Sequence, residues 1–113
     1  MTVAETPSFI REAGVLMTQS EHDELVLYVA ANPESGAIMP DTGGVRKLRW
    51  AAKGKGRRGG IRVIYYYYSD LIPLFLLNVY AKSEKDNLSR TERNEMKKLI
   101  PRLVAGYQRR IAR

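Results

Sequence analysis

Between Val45 and Ser69 the chain carries Arg46, Lys47, Arg49, Lys53, Lys55, Arg57, Arg58 and Arg62, and not one Asp or Glu. Cations crowded in this way hold phosphates and neutralise charge that builds up on a phosphorus centre. Where like charges press on a lysine, its affinity for a proton falls and it becomes a usable base. Cleavage of RNA by its own 2′-hydroxyl needs little more: the hydroxyl proton must leave, the pentacoordinate phosphate must be stabilised and the departing oxygen must be protonated. Chemistry that starts from the 2′-hydroxyl leaves DNA inert. Four of the cations, Lys53, Lys55, Arg57 and Arg58, sit in or beside the stretch Gly54-Lys-Gly-Arg-Arg-Gly59. Glycine there lets the backbone approach a phosphate with no Cβ in the way.

The same stretch matches G-x-G-x-x-G by letter, but its context is wrong for a dinucleotide. That fingerprint needs a helix after the glycines and an acidic residue about twenty positions on. Here a strand pattern follows, and no Asp or Glu lies near Val79. A kinase-type glycine loop lies between strands, but 113 residues cannot hold a kinase. The chain has no cysteine, hence no thiolate nucleophile, disulfide or zinc-finger ligand set. Its one histidine, His22, stands beside Glu21 and Asp23, which suits a surface residue better than a catalyst. Neither a Ser-His-Asp set nor paired carboxylates accompany the cations, so no metal and no cofactor are expected. A solvated hairpin whose charges merely protect its edges is the plain alternative. The acid-free run, within a chain of net charge +7, favours a nucleic-acid surface.

The elements that must position these residues can be read from pattern. Thr18-Gln-Ser-Glu21 has capping-box spacing and opens a helix with Leu25, Val26, Tyr28 and Val29 on its apolar side, closed by Asn32-Pro33. Pro33, Gly36, Pro40, Gly43 and Gly44 mark a loop. Val45 to Ala51 reads as a strand with Leu48 and Trp50 on one face and Lys47 and Arg49 on the other. Trp50 is expected in the core. Ile61 to Tyr68, rich in β-branched and aromatic residues, is the clearest strand, and alternation sends two of its four tyrosines to each face. Leu71 to Tyr80 is apolar on both faces, as in a strand covered on both sides, with Pro73 at its beginning. Ser89-Arg-Thr-Glu92 opens a second capped helix bearing Met96, Leu99, Ile100, Leu103 and Val104, which Pro101 should kink or divide.

These elements compose one α+β domain over residues 1–113: a helical N-terminal part (1–40), an antiparallel sheet with its basic loop (44–80) and a C-terminal helix (89–113). About three to four antiparallel strands are expected, packed against the N-terminal and C-terminal helices. Met1 to Glu12 lacks the apolar run of a signal peptide, and the longest apolar stretch, Leu71 to Leu77, is too short to span a bilayer. A cytoplasmic location, without membrane contact, is the expectation.

The order of segments carries a further signal. A cationic strand, then Lys-Gly-Lys-Gly-Arg-Arg-Gly-Gly, then Ile-Arg-Val-Ile-Tyr, then Leu-Leu-Asn-Val-Tyr-Ala-Lys-Ser-Glu-Lys-Asp-Asn-Leu-Ser resembles the RelE/ParE superfamily of bacterial type II toxins, and its HigB-like RelE branch in particular. The resemblance runs from about Gly43 to Ile100. It implies a RelE-like microbial RNase fold and metal-independent cleavage of mRNA in the ribosomal A site beside rRNA, with neutralisation by a helix-turn-helix, HigA-like antitoxin. By position, it implies Lys53 and Lys55 as base and phosphate ligands, Arg62 as the stabiliser of the transition state, and Lys82 as a further catalytic cation with Lys85 as its near alternative. Arg57 and Arg58 would grip RNA, joined by Arg46, Lys47, Arg49 and Lys85. The C-terminal Tyr or His of some relatives has no counterpart after Lys85, where Leu88-Ser89 stands, so no residue fills the role of general acid. Two other activities fit the same chain: a ParE-type gyrase poison, and a non-enzymatic RNA- or ribosome-binding protein.

Overall fold

The computed structural model describes residues 1–52 and 60–111. In chain order its elements are β1 (Val3–Glu5), α1 (Pro7–Leu16), α2 (Gln19–Ala31), β2 (Ala37–Ile38), β3 (Arg46–Trp50), β4 (Ile61–Tyr66), β5 (Leu74–Ala81) and α3 (Arg90–Ile111). The strands form one sheet in the order β1-β5-β4-β3-β2. All neighbours are antiparallel except β1, which pairs in parallel with β5 through Val3–Leu74, Ala4–Phe75 and Glu5–Leu76. The architecture is α+β as expected. The sheet is wider than the central meander because two short strands, which carry little pattern of their own, extend its two edges.

Alternation splits the sheet between two cores. One face sends Leu48, Ile61, Val63, Tyr65, Leu74, Leu76 and Val79 against Phe9, Ala13 and Leu16 of α1 and Leu25 and Val29 of α2. The opposite face sends Val45, Ile64, Tyr66, Phe75, Leu77 and Tyr80 against Leu88 and Ile100, with Met96, Leu103, Val104 and Tyr107 of α3 packed alongside. β4 is therefore buried along its whole length, which accounts for its β-branched and aromatic composition. Tyr65 and Tyr67 join the first core and Tyr66 the second, while Tyr68 is exposed. Trp50 packs on the first core and its ring lies 5.2 Å from that of Tyr28.

Both capping boxes form. Thr18 Oγ1 accepts from the Glu21 amide at 3.2 Å while the Thr18 amide donates to Glu21 Oε1 at 2.9 Å; Ser89 and Glu92 exchange the same pair at 3.1 and 2.8 Å. Pro101 lies inside α3 without ending it, and Leu99 is the one expected core residue of that helix left exposed. α1 was not anticipated, although Thr6-Pro7 is an N-cap followed by proline at the first helical position, and Thr6 Oγ1 accepts from the Phe9 amide at 3.1 Å. This helix shields the part of β5 that β1 leaves unpaired: Thr6 Oγ1 donates to Leu77 O at 2.7 Å, and Glu12 Oε1 accepts from Asn78 Nδ2 at 3.0 Å and the Val79 amide at 3.3 Å. His22, expected at the surface, is half-buried: its Nε2 pairs with Glu5 Oε1, and its ring meets Phe9 edge-on.

Tyr65 also fixes the loop ahead of β2. Its hydroxyl donates to Pro33 O at 2.9 Å and accepts from the Gly36 amide at 2.8 Å. A Cβ at position 36 would lie 2.7 Å from Tyr65 Cε1, so only glycine fits. Tyr65→Phe, which takes the partner from the buried Gly36 amide and the part-buried Pro33 carbonyl, is expected to cost about 1–3 kcal/mol in urea unfolding with little change in the slope. Gly36→Ala is expected to cost at least as much; a neutral result for both variants would show that the tyrosine does not anchor this loop.

Candidate nucleic-acid interface

Three residues form a row across the face that looks toward α3. Arg49 on β3 pairs in register with Arg62 on β4, which pairs with Tyr80 on β5. The row lies one step from the end of the sheet, where Trp50 pairs with Ile61, Ile61 pairs with Ala81, and the Lys82 amide donates to Gly60 O at 3.4 Å. Gly60 adopts φ +80°, and a Cβ there would come within 2.8 Å of Trp50 O. A side chain is excluded at this base of the hairpin.

Arg62 is 4% exposed, the one charged residue in a strand otherwise made of aliphatic and tyrosine side chains. A buried cation needs a partner, and Asp86, from the loop between β5 and α3, supplies one: Arg62 Nε donates to Asp86 Oδ1 at 2.9 Å. Two neighbours hold that loop down. Lys47 Nζ donates to Asp86 O at 3.1 Å and to Asn87 Oδ1 at 2.8 Å, and the Tyr80 hydroxyl donates to Asp86 O at 3.3 Å. The Arg62 hydrogen bond lowers the pKa of the Asp86 carboxyl, with Lys47 and Arg49 adding to the effect against a smaller opposing contribution from burial. Burial, with the nearby Asp86 and Glu92 charges, pushes the Tyr80 hydroxyl up to about 12. It is a donor throughout the neutral range and cannot act as a base there.

The other expected site residues separate into groups. Lys47, Arg49 and Arg62 share the α3-facing side of the sheet, and Lys82 is exposed at its end. Lys85 joins the same loop but is engaged, its Nζ 2.5 Å from Glu92 Oε2 and 4.9 Å from the centroid of the Tyr80 ring. Arg46 lies elsewhere. Alternation places it with Leu48 and Trp50, and its Nη1 donates to Glu34 O at 3.1 Å and Gly36 O at 2.8 Å. It pins the loop before β2 instead of extending the cationic row. Lys53, Lys55, Arg57 and Arg58 lie outside the described residues.

Two features were missed in the sequence. Asp86 breaks the acid-free character of the patch from 24 positions away; no spacing rule announces it. Arg90, Arg93 and Lys97 are spaced to share one helical face, and with Asn94 and Asp41 they line a cleft of about 320 Å³ between the Asp41 loop and α3. Among the described residues no group of His, Cys, Asp or Glu could hold a metal ion, and no helix is long and apolar enough to cross a membrane.

Residues 4–113 match the family model described as RelE toxin of the RelE/RelB toxin–antitoxin system. The chain belongs to the RelE toxin family. A RelE toxin acts within a toxin–antitoxin pair, so membership brings with it an antitoxin partner.

Because folding lowers the Asp86 pKa, the Arg62 pair contributes its full share of stability above the ordinary carboxylate value of 3.8 and loses it as pH falls through the lowered value. A ¹³C titration of the Asp86 carboxyl is expected to give a midpoint below 3.8 in the wild type and a higher one in Arg62→Gln. A wild-type midpoint at or above the ordinary value would contradict the pairing.

Proposed function

We propose that this RelE toxin is a ribosome-dependent mRNA endonuclease that inhibits translation, cutting by attack of the RNA 2′-hydroxyl on the adjacent phosphate without a metal. The observation that carries the reading is Arg62, a buried guanidinium held one residue from the start of β4, with Lys47 and Arg49 on the neighbouring β3 and Tyr80 on β5. Placing a charge there costs folding energy. A surface that only had to attract RNA would gain nothing from burying it.

In this reading Arg62 faces the equatorial oxygens of the phosphorane, where a fixed, desolvated cation acts most strongly on charge that appears only in the transition state. Lys53 and Lys55 take the roles of base and phosphate ligand that the resemblance implies, Lys82 lies at the sheet end as a further cation, and Arg57 and Arg58 hold the strand. Lys47, Arg49 and the Arg90, Arg93 and Lys97 cleft offer further phosphate contacts, so that mRNA and the surrounding rRNA meet cations on more than one side. A ribosomal substrate places the protein in the bacterial cytoplasm. The antitoxin, a helix-turn-helix protein of HigA type, would neutralise the +7 chain by laying an acidic segment over this row.

Ribosomes programmed with a defined mRNA provide the test. Wild type is expected to cut within the A-site codon, Arg62→Ala to lose about 10²-fold or more in rate, and Lys55→Ala to fall comparably. Intact mRNA with folded wild type would overturn the reading, and inhibition of gyrase supercoiling by the same sample would replace it with the ParE-type activity.

A further inference from the structure

The Asp86 carboxylate stands at a point where three cations converge. Arg62 Nε is 2.9 Å away, and Lys47 and Arg49 are near enough to make proton binding at Asp86 less favourable. The two partners are buried very differently: the Arg62 side chain is 5% exposed, that of Asp86 51%. The cationic side is therefore fixed in the sheet, while the anionic side rides on a loop open to solvent. The solvent-facing partner of such a pair can be exchanged for another anion, provided that the buried charge stays compensated. Among the described residues Arg62 engages Asp86 through Nε and Ile61 O through a long 3.4 Å contact from Nη1, and a guanidinium presents five donors in a fork that suits a tetrahedral anion.

We infer that the position now held by the Asp86 carboxylate is an oxyanion site for a phosphodiester of the substrate, and that Asp86 is its intramolecular stand-in, displaced when RNA binds. This rests on the nuclease reading for the identity of the anion, but not for the existence of the site. A carboxylate in this position keeps a buried guanidinium paired when no RNA is present, which a bare cation could not do at so low a cost. It also lowers the affinity for a single small anion without abolishing it, since a ligand must out-compete an internal partner at high effective concentration. A polyanion that engages Lys47, Arg49 and Arg62 together meets that requirement.

The experiment is an NMR titration of the full chain with sulfate, whose charge does not change near neutral pH, following the Arg62 Nε–H and the Asp86 carboxyl ¹³C. In wild type, sulfate is expected to shift both signals along one saturable curve, as Asp86 leaves Arg62. Asp86→Asn, which keeps the shape and removes the charge, is expected to bind sulfate about three- to fivefold more tightly, and Arg62→Lys in that background is expected to abolish the gain. Sulfate affinity that is unchanged or weaker in folded Asp86→Asn, an Asp86 signal that ignores sulfate, or shifts confined to Arg90, Arg93 and Lys97 would each overturn the proposal. If Asp86→Asn tightens sulfate while wild type leaves ribosome-bound mRNA intact, the nuclease reading alone fails. If wild type cuts and Asp86→Asn cuts less without binding sulfate better, Asp86 is a permanent positioning residue and the stand-in fails.

Discussion

A guanidinium set into a fully buried strand, one residue from its start, is the constraint to which the rest of this molecule answers. β4 is flanked by β3 and β5 and covered by a core on each face, so Arg62 has no route to bulk water along its own strand. Its charge must be met from outside the sheet, and among the described residues the segment after β5 meets it. That segment turns back over the sheet end, presents Asp86 to Arg62, rests its backbone on Lys47 and Tyr80, and then enters α3 through the Ser89–Glu92 box. The start of α3, and with it the cleft bearing Arg90, Arg93 and Lys97, is placed by the same chain reversal. One buried charge thus sets the course of a loop and the origin of a helix.

The two faces of the sheet divide the labour. The face against α1 and α2 is closed and apolar, and its polar contacts serve structure: Arg46 and Tyr65 both hold the loop before β2. The face against α3 is covered by the helix only in part, and at the remaining end the cations gather. The cationic row and the larger apolar core lie on opposite sides of one layer, so that repulsion among Lys47, Arg49 and Arg62 is kept away from that core.

Much of this was legible because it is local. Capping boxes at Thr18 and Ser89, the β-branched and aromatic run of β4, and the doubly apolar β5 are written within a few residues of where they act. Grouping Arg46 with Lys47 and Arg49 failed for a reason the same sequence contains: successive residues of a strand point to opposite faces, so three cations in near succession cannot all serve one surface. β1 and β2 were invisible because three- and two-residue strands hold no period; they are strands only by virtue of the partner they find. Asp86 was invisible because its meaning depends on a loop reversal that joins residues 24 apart. The charge count of a segment describes a surface only when no distant part of the chain comes back to cancel it.

The parallel pairing of β1 with β5 has a temporal side. Val3 and Leu74 are neighbours in the sheet, so the first strand to be synthesised is among the last to find its place. While the ribosome is still making the chain, the apolar side of α1 has no β5 to rest on, and closing so long a loop is slow compared with forming the hairpin of β3 and β4. The nascent protein therefore passes through a stage in which its amino-terminal third is unassembled. The sheet that carries the cationic row is thus whole only after β5 has been translated and β1 has returned to its edge.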